Sequence, residues 1–204
     1  MEVISMDVVF KASDLEKRDR IINAALEEFS INDFEKASTN MIVKRAKVSK
    51  GLLYHYFSSK KELYDYLVEF VFITIGNSIK DKLDDMDSDF FVRIRDIAII
   101  KMNIMQVYPK LYDFSVKLLR EMSYEVLLEK SKAYNLDLFQ KVYFENIDYT
   151  LFKEDIDVKR AMEIIRWTIE KFGENINFSE EKDMAYQVEE INKYMEILRK
   201  AFYK

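Results

Sequence analysis

The residues best suited to chemistry in this 204-residue chain are gathered between residues 48 and 63, VSKGLLYHYFSSKKEL. This segment contains the single histidine, His55, and one of the three glycines, Gly51. Histidine and lysine side chains can donate hydrogen bonds to the base edges of DNA, and tyrosine hydroxyls can bind phosphate oxygens. A lone histidine is more often a surface or packing residue, so the prediction of a nucleic-acid interface depends on the whole set.

A basic segment surrounds these residues. From Lys36 to Lys61 the sequence has seven lysine or arginine residues and no acidic residue, whereas the whole chain has a net charge of −5. An acid-free basic segment in an acidic protein focuses positive potential on a small surface, and nucleic-acid phosphate is the commonest partner of such a surface. On charge alone, a solvated basic face explains the segment equally well.

Composition excludes several kinds of site. The chain has no cysteine, which excludes disulfides, thiolate catalysis and zinc–sulfur centres, and one histidine cannot form a multi-histidine metal site. No carboxylate pair lies in a recognisable catalytic motif. We therefore expect no metal, no cofactor and no enzymatic activity. The N-terminus lacks a secretory pattern and no apolar run is long enough to cross a membrane, so we expect a cytoplasmic protein.

The scarcity of glycine and proline predicts an all-α protein. Three glycines and one proline leave few positions for tight turns, and long stretches of the chain follow helical periodicity. We expect helices at about residues 15–29, 60–83, 90–108, 158–176 and 184–202, and a helical region over residues 110–149 with an interruption near residues 121–124.

Three helix starts at a spacing of ten residues predict a helix-turn-helix. Thr39, Ser49 and Ser59 can each cap a helix, and Glu62 would complete a capping box with Ser59. The short turn KVS separates the first two of these helices. Two short helices joined by such a turn, the second with exposed polar and basic groups, are typical of this DNA-binding motif.

The second of these helices has the composition that a recognition helix needs. Gly51 in its first turn would let the backbone approach DNA closely. Lys50 and His55 can donate to base edges, whereas Leu53 and Phe57, four residues apart, should point to the core. Positions that would bind phosphate are the helix starts at Thr39 and Ser59, the hydroxyl of Tyr54 and the charge of Lys60.

The segments RIINAALEEF and STNMIVKRAKVSKGLLYHYFSSKKEL resemble the N-terminal domain of the tetracycline-repressor (TetR) family of bacterial transcription regulators, from about Arg18 to Leu63. The resemblance implies an all-α homodimer with a three-helix DNA-binding domain over residues 14–60. A larger helical domain over residues 61–204 would bind an effector and form the dimer. By position, the residues that match the family's DNA contacts are Thr39, Ser49, Lys50, Gly51, Tyr54, His55 and Lys60.

Two positions depart from the family pattern. The turn of the motif usually contains glycine, where this chain has Lys47, and a left-handed residue other than glycine costs about 1 kcal/mol. The glycine often found after the first helix is replaced by Asn32 or Asp33. Asparagine tolerates the left-handed conformation best among the other residues.

The last two predicted helices have apolar stripes with alternating steps of three and four residues. On pattern alone, burial of both stripes in the chain's own domain is favoured, whereas the resemblance implies a four-helix interface between two chains. The stripe residues that the resemblance assigns to this interface are Met162, Ile165, Ile169, Phe172, Val188, Ile191, Met195 and Leu198.

The region of residues 64–152 is rich in Phe, Tyr, Met and Ile, which suits a ligand pocket and equally suits any helical core. The candidate pocket residues are Tyr108, Phe114, Leu118, Met122, Tyr124 and Trp167. The resemblance implies a repressor that leaves a pseudo-palindromic operator when a small apolar effector binds. The alternatives are an activator or corepressor-dependent regulator of the same fold, and a helical enzyme.

Overall fold

Helices account for the regular structure of this chain. The computed structural model describes residues 15–133, 138–176 and 182–204. These residues contain no β-strand, so the predicted all-α class is confirmed. No helix in the described ranges combines the length and the apolar character that a membrane crossing requires. The helices are α1 (Leu15–Ile31), α2 (Thr39–Ala46), α3 (Lys50–Tyr56), α4 (Lys60–Lys80), α5 (Phe90–Val107), α6 (Leu111–Glu121), α7 (Tyr124–Ala133), α8 (Leu138–Phe144), α9 (Val158–Glu174) and α10 (Met184–Phe202).

Local capping signals explain where several helices begin and end. The α10 helix has the predicted bounds, and the Asp183 side chain caps it by accepting from the Tyr186 amide at 2.9 Å. The α4 helix ends at Lys80, earlier than predicted, and Leu83–Asp85 forms a separate 3-10 turn. The interruption expected near residues 121–124 is confirmed as the break between α6 and α7.

The chain forms two compact units. Of the described residues, the first unit contains 15–74 together with Tyr108–Lys130, and the second contains Ile75–Val107 together with 131–133, 138–176 and 182–204. The first unit therefore includes α1, α2, α3 and α6, whereas α5, α9 and α10 belong to the second. The division at residue 60 into functional domains stays a prediction.

The core of the first unit forms around the apolar face of α1. Ile21, Ile22 and Leu26 are fully buried, as their helical spacing predicts. At the C-terminal end of α1, the ring of Phe29 lies 5.1 Å from that of Tyr64 on α4, and Tyr64 lies 5.7 Å from Phe114 on α6. Each such edge-to-face pair contributes about 0.5–1.5 kcal/mol beyond its burial. This aromatic cluster holds α1, α4 and α6 together.

The second unit has a core between α5, α9 and α10. Ile165 of α9 and Ile191 of α10 are fully buried in it, beside Phe90 of α5. Near the C-terminus, the Tyr203 hydroxyl donates to Asp89 Oδ1 at 3.0 Å, and Asp89 also caps the start of α5. The same carboxylate thus joins the first turn of α5 to the end of α10.

Arg93 of α5 fixes the segment that follows α8. Its buried guanidinium donates to the carbonyl oxygens of Glu145 at 2.6 Å, Asn146 at 3.2 Å and Asp87 at 2.8 Å. The bonds to Glu145 and Asn146 satisfy backbone oxygens that have no helical partner past the end of α8, and the bond to Asp87 holds the residues before α5. Burial lowers the pKa of Arg93 from its ordinary value. The network shows that this cation serves the backbone of its own unit.

The apolar stripes assigned to the dimer interface lie mostly in the core of the second unit, which favours burial within one chain for the five buried residues. A side chain buried within one chain cannot form the surface between two chains, and α9 and α10 use these stripes to pack with α5. Among the eight residues, Met162, Ile165, Ile169, Ile191 and Met195 are buried, Phe172 and Leu198 pack against them, and Val188 is half-buried.

The opposite faces of α9 and α10 expose a second set of apolar side chains. Ile164 and Trp167 are 41% and 55% exposed on α9, and Ile197 is 66% exposed on α10. Tyr186 and Tyr194 are exposed on the same helix. A helix that is apolar on two faces is typically buried on both. These five residues define the outer apolar face of α9 and α10.

Candidate nucleic-acid interface

The helices α2 and α3 form the predicted helix-turn-helix. Residue Lys47 lies between them with φ 54° and ψ 44°, the left-handed conformation expected where the family pattern has glycine. The turn closes through the Val48 amide, which donates to the Val43 carbonyl at 3.1 Å. Among the described non-glycine residues, positive φ occurs otherwise at Asn146. The expectation of a left-handed residue at Asn32 or Asp33 is therefore wrong.

The start of α3 is fixed by Ser49, as predicted. Its hydroxyl oxygen accepts from the Leu52 amide at 3.1 Å. Leu53 and Phe57 are buried, which confirms the predicted inner face. The outer face of α3 exposes Lys50, Gly51, Tyr54 and His55 together.

Gly51 has no steric or conformational reason to be glycine within this chain. Its φ is not positive, and a Cβ atom at this position would meet Ser49 Oγ at 3.9 Å, an ordinary van der Waals distance. Glycine in a helix costs about 0.5–1 kcal/mol relative to alanine. An exposed glycine that the fold does not require is consistent with a surface that another molecule approaches closely.

The start of α2 differs from the prediction. Thr39 was expected to cap this helix, but the helix begins at Thr39 and Ser38 is its N-cap, without a side-chain capping bond. The Thr39 hydroxyl instead lies 3.3 Å from the Tyr54 hydroxyl of α3. The two predicted phosphate contacts are therefore neighbours that bridge the two helices of the motif.

Glu28 is a residue of this site that the sequence prediction missed. It is 3% exposed, and its carboxylate accepts from the Ser38 amide at 2.9 Å, from Asn32 Nδ2 at 3.1 Å and from the Arg45 guanidinium. It thus joins α1 to the start and the middle of α2. The available signal was a glutamate on the otherwise apolar inner face of the first helix, beside Phe29.

Lys60 does not have the environment that was predicted for a phosphate contact. Its ammonium group donates to the carbonyl oxygens of Phe34 at 2.7 Å, Glu35 at 3.2 Å and Ala37 at 3.2 Å. The same nitrogen lies 4.7 Å from the centre of the Phe34 ring. These three bonds use all the donors that an ammonium group has. The ammonium group of Lys60 therefore binds backbone oxygens of its own chain.

The capping box predicted at the start of α4 is shifted by one residue. Ser59 Oγ accepts from the Glu62 amide at 3.1 Å, as expected. The Glu62 carboxylate, however, accepts from the Ser58 amide at 2.7 Å rather than from Ser59. The start of α4 is still capped reciprocally, because the Glu62 amide and the Ser58 amide each have a side-chain acceptor.

The remaining positive charge of the motif points outward. Of the seven basic residues between Lys36 and Lys61, Arg45 and Lys60 are part-buried and bound within the chain, and the exposed Lys61 pairs with Asp65 at 2.5 Å. The other five are exposed, namely Lys36, Lys44, Lys47, Lys50 and Lys61. Within the described ranges, no cluster of three or more histidine, aspartate or glutamate side chains could hold a metal ion. The arrangement suits an anionic partner of the size of a nucleic acid.

The sequence of this region matches a known family of domains. Residues 21–67 match the family model of bacterial regulatory proteins, tetR family. Over these residues the chain is similar to TetR-family regulators. The matched residues include α2, α3 and the first turns of α4, so the resemblance noted in the sequence is confirmed where its motifs lie.

Curated TetR-like relatives are similar over this domain. The chain is 47% identical over 51 residues to the HTH-type transcriptional regulator UidR of Escherichia coli K12, which is 25% of this chain and 26% of UidR. It is 37% identical over 83 residues to the uncharacterized HTH-type transcriptional regulator YvdT of Bacillus subtilis, 41% of this chain and 42% of YvdT. The match thus spans about a quarter of the length of UidR.

Solved structures extend the likeness of fold to almost the whole chain. A TetR family transcriptional regulator from Chloroflexus aurantiacus has a TM-score of 0.60 and 22% identity, covering 93% of this chain and 94% of its own. The ketosteroid transcriptional regulator KstR2 of Mycobacterium tuberculosis has a TM-score of 0.64 and 16% identity, covering 92% and 95%. The likeness of fold therefore includes the C-terminal helices, where the family model has no match.

The candidate pocket residues of the first unit have structural roles. The Tyr108 hydroxyl donates to Asp19 at 2.9 Å, and burial, followed by this bond, raises the pKa of Tyr108 to about 12. Phe114 and Leu118 are buried, and Phe114 belongs to the aromatic cluster that holds α1. Met122 is half-buried at the end of α6. The prediction of these residues as pocket walls is not supported by their contacts.

The other two candidate pocket residues are Trp167 and Tyr124. Trp167 is exposed on the outer apolar face of α9, and the side chain of Tyr124 lies outside the described residues. In the second unit a shallow depression is lined by Phe90, Tyr143 and Met162. Three charged side chains complete its rim, namely Lys159, Glu163 and Arg166.

Proposed function

We propose that this protein is a sequence-specific DNA-binding regulator of transcription and acts as a repressor. The outer face of α3 supports the proposal, because Gly51 opens it to a close partner while Lys50 and His55 offer donors on either side. A recognition helix that enters the major groove needs this combination of a small leading surface and polar groups.

The proposed contacts divide into two kinds. Lys50, Gly51 and His55 read base edges, and Ser49, Thr39 and Tyr54 bind phosphate beside them. The exposed lysines of the motif release counterions from DNA when they bind phosphates, and so contribute the salt-dependent part of the affinity. Lys60 is withdrawn from this set because its ammonium group binds the chain's own carbonyl oxygens.

The active form is proposed to be a homodimer that uses the outer apolar face of α9 and α10. Ile164, Trp167 and Ile197 would be buried by a second copy, which explains why both faces of these helices are apolar. A two-fold dimer reads a pseudo-palindromic operator whose half-sites are about one helical turn, or a multiple of it, apart.

A small apolar effector is proposed to bind the helical region that follows the motif and to weaken DNA binding. The effector and the operator then favour different conformations of the dimer. Each therefore lowers the affinity of the protein for the other by the same factor. A regulator of the same fold that needs a corepressor would show the opposite sign of coupling.

Selection of DNA from a random duplex library tests the proposal. The purified protein should enrich a pseudo-palindromic site, and fluorescence anisotropy should show an affinity for that duplex that falls steeply with salt. His55→Ala and Lys50→Ala should reduce the preference for the selected duplex over random duplex. Failure to enrich any sequence, with no binding to random duplex at low salt, would exclude the proposed function.

A further inference from the structure

The connection between α1 and α2 is held by a lysine on each side. From α4, Lys60 donates to the carbonyl oxygens of Phe34, Glu35 and Ala37, as described above. From α6, Lys117 donates to the carbonyl oxygens of Phe29 at 3.0 Å and Asn32 at 2.7 Å. The two side chains together bind five backbone oxygens within residues 29–37.

The end of α1 explains why Lys117 binds there. A helix C-terminus leaves carbonyl oxygens without partners and attracts positive charge. The last turn of α1 contains no basic residue of its own. Lys117, with a side chain 19% exposed, supplies that charge from α6, and its contacts with Asp33 at 3.5 Å and Glu121 at 3.7 Å keep it in place.

The position of Lys60 is unfavourable without this connection. It is the first residue of α4, where the positive end of the helix dipole repels a cation. Three carbonyl oxygens and the face of the Phe34 ring offset that cost. A lysine at this place is thus stabilised by the connection that it holds.

The connection matters because it sets where α2 begins. Residues 32–38, NDFEKAS, contain neither glycine nor proline, and Thr39 starts α2 directly after them. The α2 helix has 8 residues, too few to be stable on its own propensity. Its placement must therefore come from tertiary contacts.

We propose that Lys60 and Lys117 are positioning residues of the helix-turn-helix: they clamp residues 29–37 and so orient α2 and α3 for specific DNA, without themselves neutralising phosphate. The effect on DNA recognition rests on the proposed function, whereas the clamp itself does not.

The competing interpretation for Lys60 is a direct phosphate contact. It requires the ammonium group to leave three carbonyl oxygens for one phosphate. Because the ammonium group would give up three charge-assisted bonds to carbonyl oxygens, that exchange has little to gain. The two interpretations predict different chemical reactivity in the protein without DNA.

Lysine acetylation of the wild-type protein, followed by mass spectrometry, tests the clamp directly. In DNA-free protein, Lys60 and Lys117 should react at least fivefold more slowly than Lys44, which is exposed. Addition of random duplex at low salt should protect Lys44 and leave the two clamp lysines unchanged. Rapid reaction of Lys60 in DNA-free protein, with protection by duplex, would overturn the proposal.

Two substitutions test the positioning role. Lys60→Met and Lys117→Met keep the aliphatic stem and remove the donors. Lys80→Met, in the last turn of α4, and Lys110→Met, just before α6, are the controls, with the same change of charge at exposed lysines outside the motif. Each clamp variant should lose about tenfold of the preference for the selected duplex over random duplex, and its amides in residues 36–46 should exchange faster. The controls should keep both properties.

A phosphate contact would give another result. Loss of one such contact lowers affinity for all sequences alike and reduces the slope of log affinity against log salt by about 0.9. That outcome for Lys60→Met, or unchanged preference and exchange in both clamp variants, would overturn the proposal. If wild-type protein binds no DNA, the proposed function fails, while acetylation and amide exchange still decide whether the clamp exists. If a variant does not fold, acetylation of the wild type decides alone.

Discussion

Glu28 and Arg45 form an ion pair that joins α1 to α2 beneath the exposed face of the motif, with side chains 3% and 29% exposed. Removing one partner of such a pair leaves an uncompensated charge, which costs about 3–5 kcal/mol. Arg45→Met should therefore lower the free energy of unfolding by about 3 kcal/mol, as measured by urea denaturation. The double variant Glu28→Leu with Arg45→Met should recover part of that loss, because two apolar side chains replace the pair while the Ser38 amide loses its acceptor. Additive losses in the double variant would contradict a coupled pair.

Gly51→Ala should separate stability from DNA binding. Alanine is favoured in a helix by about 0.5–1 kcal/mol and has room here, so the melting temperature should rise slightly. The added methyl group should nevertheless weaken binding to the selected duplex at least tenfold, because it lies between α3 and the groove. Gly173→Ala in α9 is the control, since a Cβ atom there meets nothing within 4 Å. Equal DNA affinity of both variants would show that no partner approaches Gly51.

Ile197 and Ile191 distinguish the two apolar faces of α10. Ile197 is 66% exposed, whereas Ile191 is fully buried. Ile197→Asp should give folded monomers, because the charge opposes burial by a second chain but leaves the core intact. Ile191→Asp should instead unfold the second unit. Light scattering and circular dichroism measure both properties, and an unchanged dimer for Ile197→Asp would place the interface elsewhere.

Tyr108 should make stability fall at high pH. Burial and the bond to Asp19 raise the pKa of Tyr108 to about 12, from 10.0 in an unfolded chain. Between these values the folded protein keeps the proton and the unfolded chain loses it, so rising pH favours unfolding. Tyr108→Phe should flatten the decline of stability between pH 10 and 12. An identical profile for this variant would show that Tyr108 does not titrate in that range.

Lys101 of α5 should oppose folding at neutral pH. Burial lowers the pKa of Lys101, an effect that Glu170 counters and Arg166 strengthens. A folded-state pKa below the unfolded value means that the charged form is disfavoured in the fold, and that this cost disappears as pH rises toward 10.5. Lys101→Met should raise the melting temperature at pH 7 by a few degrees, with a smaller gain at pH 10. A lower melting temperature would indicate that the ammonium group stabilises the fold.

Interactions between residues close in sequence determined several helix ends and the turn of the helix-turn-helix. The bounds of α10, the cap at Ser49 and the left-handed turn at Lys47 follow from interactions among residues a few positions apart. Such interactions exist as soon as a helix forms, so they can be read from the order of residues. The inner face of α3 followed for the same reason, since Leu53 and Phe57 lie on one side of a single helix.

Tertiary structure decided which face of α9 and α10 is buried and which partner each lysine has. Both faces of those helices are apolar, so the pattern allowed either, and packing with α5 selected the stripe that contains Ile165 and Ile191. Lys60 binds carbonyl oxygens up to 26 positions away, and Lys117 binds oxygens up to 88 positions away. A lysine at the start of a helix has the same sequence signature whether its charge meets phosphate or backbone. The difference is the fold that brings residues 29–37 between α4 and α6.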